Sequence, residues 1–175
     1  KKILITGGSG FIGKNIIDIL QKKNFTIYSL TRKPKKNKKN LKYIKDNLLN
    51  DIKFDKTCDV IIHCSAKSPE KNKFNYNDYK NNILMTKNLL KYTEKYKPKK
   101  IIFLSSLSIY GNIVSKKVTE KTRIQNSDLY GKSKLECENL LKKISKKIPV
   151  VSIRLPGVIG KNSVRNWLSR LIGDI

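Results

Sequence analysis

Short apolar runs alternate along this chain with longer stretches in which apolar residues recur every three or four positions. The runs at 3–6, 25–30, 60–64, 101–105 and 150–153 read as buried strands, with a weaker one at 42–44. Helical spacing follows Gly13 and runs through 82–96 and 129–144, and a further helix-like pattern covers 164–171. Strand and helix taking turns in this way imply an α/β fold: a doubly wound parallel sheet with helices on both faces. With right-handed crossovers, a ligand site falls beside the carboxyl end of the first strand. No internal repeat is visible, and the one low-complexity stretch, 33–40, reads as a mobile loop.

The first predicted strand runs directly into Gly7, Gly8, Ser9, Gly10, Phe11, Ile12 and Gly13, after which the helical pattern begins. Gly8, Gly10 and Gly13 satisfy the dinucleotide fingerprint. Its glycines allow a tight turn and a close backbone approach to a pyrophosphate, while the helix start supplies amide donors and a positive dipole end. The second strand ends at Thr31, Arg32 and Lys33, where that fingerprint expects an acid for the ribose 2′-hydroxyl. A basic group there suits a 2′-phosphate, so NADP(H) is favoured over NAD(H); the alternative is that Arg32 only opens the solvated basic run. Farther on, Tyr130 and Lys134 stand four residues apart, on one face of a helix. A nearby ammonium favours a phenolate, so Tyr130 is expected to have a lowered pKa and to serve as acid and base.

Together with the stretch from Ser105 to Gly111, these residues resemble the extended short-chain dehydrogenase/reductase family, the NAD(P)-dependent epimerases, dehydratases and reductases of nucleotide sugars. The resemblance runs along nearly the whole chain and implies one Rossmann-like NAD(P)-binding domain over 1–175, with 155–175 opening the substrate-binding region. In family terms the glycine motif is Gly7, Gly10 and Gly13, with Phe11 and Ile12 inside it. Cys64, Ser65 and Ala66 match the segment whose backbone lies along the cofactor. Asn82 matches the asparagine that follows it, and Pro156 lies in the stretch bordering the nicotinamide. Either Asp46 or Asn47, before Leu48, takes the place of the acid near the adenine. Ser106, Tyr130 and Lys134 match the catalytic serine, tyrosine and lysine, and Lys134 is also implied to hold the nicotinamide ribose. Dehydratases of the family carry acids just after the serine position, where this chain has Leu107 and Ser108. A 4-epimerase or a 4-ketoreductase is therefore expected, acting on a nucleotide-activated sugar; a non-catalytic NAD(P)-binding sensor of the same fold is the alternative. The resemblance also implies a homodimer through the helix carrying Tyr130, with Leu84, Leu90, Leu135 and Leu141 as contact candidates or, alternatively, core residues.

Composition changes this picture little. At 175 residues the chain suffices for one domain with a real core, but it is short for the family. Starting without methionine, it looks trimmed, and most of the sugar-recognition surface is expected to lie outside it. The formal net charge of +26 would suit a polyanion, yet most of the lysines sit between apolar positions on outer helix faces, and no specific nucleic-acid role is expected. Cys58, Cys64 and Cys137 lack metal-ligand or paired spacing, and no secretory signal or membrane-length apolar span is present, so a reduced, cytoplasmic protein without a metal is expected. His63, the single histidine, excludes a Ser-His-Asp hydrolase within this chain and reads as a packed, hydrogen-bonded core group.

Overall fold

The computed structural model describes residues 1–33, 35–70, 73–160 and 163. Its six strands are β1 (Lys2–Thr6), β2 (Thr26–Thr31), β3 (Leu41–Lys45), β4 (Val60–His63), β5 (Lys100–Ser106) and β6 (Val150–Leu155). All neighbours pair in parallel, in the order β3-β2-β1-β4-β5-β6. The chain thus moves outward from β1 in one direction and later in the other, leaving a crevice between β1 and β4 at their carboxyl ends. The helices are α1 (Phe11–Gln21), α2 (Tyr76–Tyr96) and α3 (Leu129–Ile144).

Side-chain alternation along the strands sorts the core into two layers. Ile3, Ile5, Ile27 and Ile62 pack with Ile17 of α1 on one face. Leu4, Tyr28, Ile61, Ile101 and Phe103 pack with Leu89 and Tyr92 of α2 and Cys137 and Leu141 of α3 on the other. The expected doubly wound α/β architecture is present, and the weak strand near 42–44 is a full member of the sheet. Leu141 is fully buried in this core and so is unavailable to another subunit, whereas Leu84 is 40% exposed. The helix-like pattern at 164–171 lies outside the described residues. No described helix is long and apolar enough to cross a membrane.

Helix boundaries follow local chemistry. α2 starts six residues ahead of the periodic stretch because Asn75 and Asp78 form a reciprocal capping box at its amino end, and it stops where Lys97 turns left-handed at φ 42°. In α3 the Asp128 carboxylate accepts from the Gly131 amide at 2.6 Å. The basic stretch after β2 is tied back to β3: Asn37 Oδ1 accepts the Tyr43 amide at 2.7 Å, and Lys38 and Leu41 exchange backbone hydrogen bonds.

His63 ends β4 at 1% exposure, the core position the sequence suggests. Thr6 Oγ1 lies 2.6 Å from its Nδ1 and also accepts the Ser65 amide at 3.3 Å. Thr86 Oγ1 donates to the Asn82 carbonyl and lies 3.4 Å from Nε2, so Nε2 carries the proton. Burial foremost, then the Lys134 charge, lowers the His63 pKa to about 3. Neutral His63 therefore contributes stability that is complete above the unfolded value of about 6.5 and is lost as pH falls from there towards 3. Urea titrations of wild type and His63→Gln between pH 4 and 7 should differ in slope by up to about 1.4 kcal/mol per pH unit. Equal slopes would place the pH dependence elsewhere.

Candidate functional site

At the crevice between β1 and β4, backbone runs against backbone. Gly7 has φ +71°, and a Cβ there would stand 2.7 Å from the Ser65 amide nitrogen. A Cβ on Gly13 would meet the Gly7 carbonyl oxygen at 2.3 Å, and one on Gly8 would meet Ser29 Oγ at 2.2 Å. Gly10 differs, since its nearest neighbour would be 3.3 Å away. Backbone packing excludes side chains at Gly7 and Gly13, the Ser29 and Ile17 side chains crowd Gly8, and at Gly10 the absent side chain leaves room on the crevice side.

Gly10 also begins α1, and of the three α-helices among the described residues this is the one with no side-chain cap. The first-turn amides of Phe11, Ile12 and Gly13 have no intrahelical acceptor by geometry, and the turn holds no acidic residue. Such a start fits a pyrophosphate. A cavity of about 260 Å³ extends from it over Thr31, Arg32, Asp46, Asn47, Leu48, Ser65 and Met85. A second, of about 720 Å³, holds Phe11, Ile12, Gly13, Ser106, Ser108, Tyr130, Lys134 and Pro156. Gly7, Ser9, Gly10, Cys64 and Ala66 line both, so the two form one cleft spanning the sheet.

Asp46 and Asn47 both reach the smaller cavity, but their side chains differ in availability. The Asp46 carboxylate accepts three backbone amides, from Asn47, Lys53 and Phe54, and so staples its own loop. Asn47 accepts only the Leu49 amide through Oδ1. Asn82 lines neither cavity: its carboxamide accepts from Lys67 N at 2.7 Å and donates to Lys67 O at 3.0 Å and to Ser133 Oγ at 3.1 Å. It bolts the loop after β4 to α3, and its neighbour Asn81 reaches the cleft instead.

In the larger cavity Ser106 closes β5, its Oγ 3.0 Å from Ser108 Oγ and accepting the Ser108 amide in a 3₁₀ turn, Leu107–Tyr110. This turn abuts α3 because residue 131 is glycine: a Cβ there would lie 2.1 Å from the Ser108 carbonyl oxygen. Lys134 is 3% exposed, donates to the Leu104 carbonyl at 2.7 Å, and lies 4.8 Å over the Phe103 ring and 5.8 Å over that of Tyr130. Burial lowers the Lys134 pKa to about 8. The expected lowering of the Tyr130 pKa is reversed. Burial, and then the Asp128 and Cys137 charges, raise it to about 12, the desolvation of the phenolate being the foremost cause.

Tyr130, Lys134 and Glu138 follow one another at helical spacing. Glu138 takes Arg154 of β6 in a two-point ion pair, Nε to Oε1 at 3.1 Å and Nη2 to Oε2 at 2.7 Å. Arg154 Nη1 also donates to Tyr110 Oη at 2.6 Å, and that hydroxyl donates to the Thr119 carbonyl at 2.8 Å. The Glu138 hydrogen bonds, ahead of that to Tyr110, hold the guanidinium above its ordinary pKa. Sequence spacing gives no hint of this network, which joins residues 16 and 44 positions apart.

These features define a dinucleotide-binding α/β domain with a serine, a tyrosine and a lysine at the mouth of the sheet. Residues 3–175 match the NAD dependent epimerase/dehydratase family. The chain belongs to that family, within the extended short-chain dehydrogenases/reductases. It is 28% identical over 99% of its length to a decarboxylating sterol-4-alpha-carboxylate 3-dehydrogenase of Dictyostelium discoideum, covering 57% of that protein. It is 30% identical over 79% of its length to a UDP-glucose 4-epimerase of Halalkalibacterium halodurans, covering 44% of it. Among solved structures, the UDP-glucuronic acid 4-epimerase from Bacillus cereus in complex with NAD superposes with a TM-score of 0.82 at 25% identity, over 99% of this chain and 62% of that one. The chain thus spans about half the length of the curated relatives it matches.

Removing one partner of the Arg154 ion pair strands a charge whose side chain is only 21% exposed. Glu138→Ala should cost about 3 kcal/mol of unfolding free energy in urea, and Glu138→Ala with Arg154→Met should recover most of it. Equal losses in the single and double variants would contradict this account.

Proposed function

We propose that this chain is the cofactor-binding and catalytic part of a cytoplasmic NAD(P)-dependent enzyme acting on a nucleotide-activated sugar, a 4-epimerase or 4-ketoreductase. The observation that carries this reading is the shared cavity: Ser106, Tyr130 and Lys134 line a space of about 720 Å³ that opens into the glycine-lined crevice. The uncapped start of α1 and Gly10 would hold the cofactor pyrophosphate, with Arg32 at a 2′-phosphate and Asn47 and Leu48 at the adenine. When bound, the nicotinamide supplies the hydride donor or acceptor.

The protein's own part is proton transfer and alignment. Ser106 Oγ would donate to the substrate oxygen, and Tyr130 would deliver or remove a proton at that same atom. Lys134, released from the Leu104 carbonyl, would hold ribose hydroxyls and lower the cost of the phenolate. With its pKa raised to about 12, Tyr130 of the unliganded protein is protonated at neutral pH, which suits proton donation to a carbonyl oxygen. Arg32, at the place of a 2′-phosphate, favours the reductase direction. Leu107 and Ser108 supply no acid for removing water, and a dehydratase is disfavoured. The engagement of Lys134 by Leu104 gives the non-catalytic sensor its one point of support. A homodimer through α2 and α3, with Leu84 at the contact, accompanies the proposal.

Tyr130→Phe in the full-length protein should retain less than about a tenth of wild-type turnover, with cofactor affinity nearly unchanged. Full activity would remove Tyr130 from the mechanism. Calorimetric titration of the chain with NADP(H) and NAD(H) should show tighter NADP(H) binding, and Arg32→Ala should weaken that binding alone. A preference for NAD(H) unaffected by Arg32→Ala would make the arginine a surface charge and favour the epimerase.

A further inference from the structure

The ring of Tyr130 has two neighbours, of which the family motif specifies one. Lys134 of its own helix stands 5.8 Å over it, and the Phe74 ring meets it edge-on, with centroids 5.5 Å apart and planes inclined by 75°. Aromatic pairs favour this edge-to-face geometry. Phe74 belongs to the loop joining β4 to α2 and is itself half-buried.

Both ends of that loop are anchored. On one side Lys67 is held through its amide and its carbonyl by the Asn82 carboxamide, which also bonds Ser133 of α3. On the other, Asn75, the residue after Phe74, forms the capping box with Asp78. Glu70 and Lys73 exchange two backbone hydrogen bonds between these anchors. Phe74 is therefore presented to Tyr130 by a loop fixed to both α2 and α3.

We propose that Phe74 is a positioning residue for Tyr130: its ring edge fixes the orientation of the phenol and excludes water from that side of the cleft. The charges that act on the phenol are those of Asp128 at the start of α3 and Cys137 within it, while Lys134 stands over the ring. From the loop, the Phe74 ring is in contact with the Tyr130 ring and gives it apolar cover. The raised Tyr130 pKa, caused first by burial, agrees with such cover. The inference rests on Tyr130 being the proton-transfer group, but its central measurement does not require turnover.

The test compares wild type, Phe74→Ala and Phe74→Leu by ¹³Cζ NMR of labelled tyrosine, with the Tyr130 signal assigned by Tyr130→Phe. Opening the site to water should increase the phenolate fraction of Tyr130 at pH 10 about tenfold in Phe74→Ala, as expected for a pKa lowered by about one unit. Phe74→Leu, which keeps the apolar bulk, should stay within about twofold of wild type. In the full-length protein Phe74→Ala should lower kcat about tenfold, with NAD(P) affinity and substrate KM within about twofold. An unchanged Tyr130 ionisation in Phe74→Ala overturns the proposal, as does a loss of cofactor affinity equal to the loss of kcat. If Tyr130→Phe were fully active, the functional reading would fail while the NMR result still decided the role of Phe74.

Discussion

The site depends on backbone lying closer to backbone than any side chain permits. At one place the turn after β1 is pressed against the segment following β4 and the start of α1, through Gly7 and Gly13. At another, α3 is pressed against the 3₁₀ turn that follows β5, through Gly131. The first approach creates the crevice and aims the helix amides into it. The second sets the distance between the helix of Tyr130 and the turn of Ser106. Alanine is the better helix former, so glycine inside α3 lowers local propensity in exchange for this proximity.

Around these approaches the polar interior is nearly closed. His63 joins β1 to α2 through two threonines, Asn82 joins the loop after β4 to α3, and Lys134 takes a carbonyl of β5. The first and third links run between the sheet and a helix, and the second and third reach α3, which carries Tyr130 and Lys134. Ser29 and Ser105 are the buried hydroxyls left without a protein partner among the described residues. Ser105 lines the larger cavity, next to Ser106.

Much of the fold was legible in the sequence, because short apolar runs, glycine punctuation and helical spacing are local properties. The glycine turn and the Tyr130–Lys134 pair were legible for the same reason. The start of α2 was misplaced by six residues: its capping box stands ahead of the apolar rhythm, and the helix obeys the cap. The direction of the Tyr130 pKa shift was misjudged because spacing reports which groups are near, whereas burial depends on every element packed around them. The contacts of Glu138, Arg154 and Phe74 gave no signal, since the partners are distant in sequence. Asn82 was identifiable as a residue of consequence, but its target, a loop carbonyl and amide together with a serine of α3, was visible only in three dimensions.

The missing cap on α1 has a consequence for the life of the chain. α2 and α3 complete their amino ends with their own side chains, while the first helix leaves its opening amides to solvent or to an anionic guest. A nucleotide seated there, as proposed, would do for the βαβ unit what Asn75 and Asp128 do for α2 and α3, and loading and folding would become one linked equilibrium. The supply of dinucleotide would then set how often this segment opens, and with it the exposure of the chain to proteolysis and turnover.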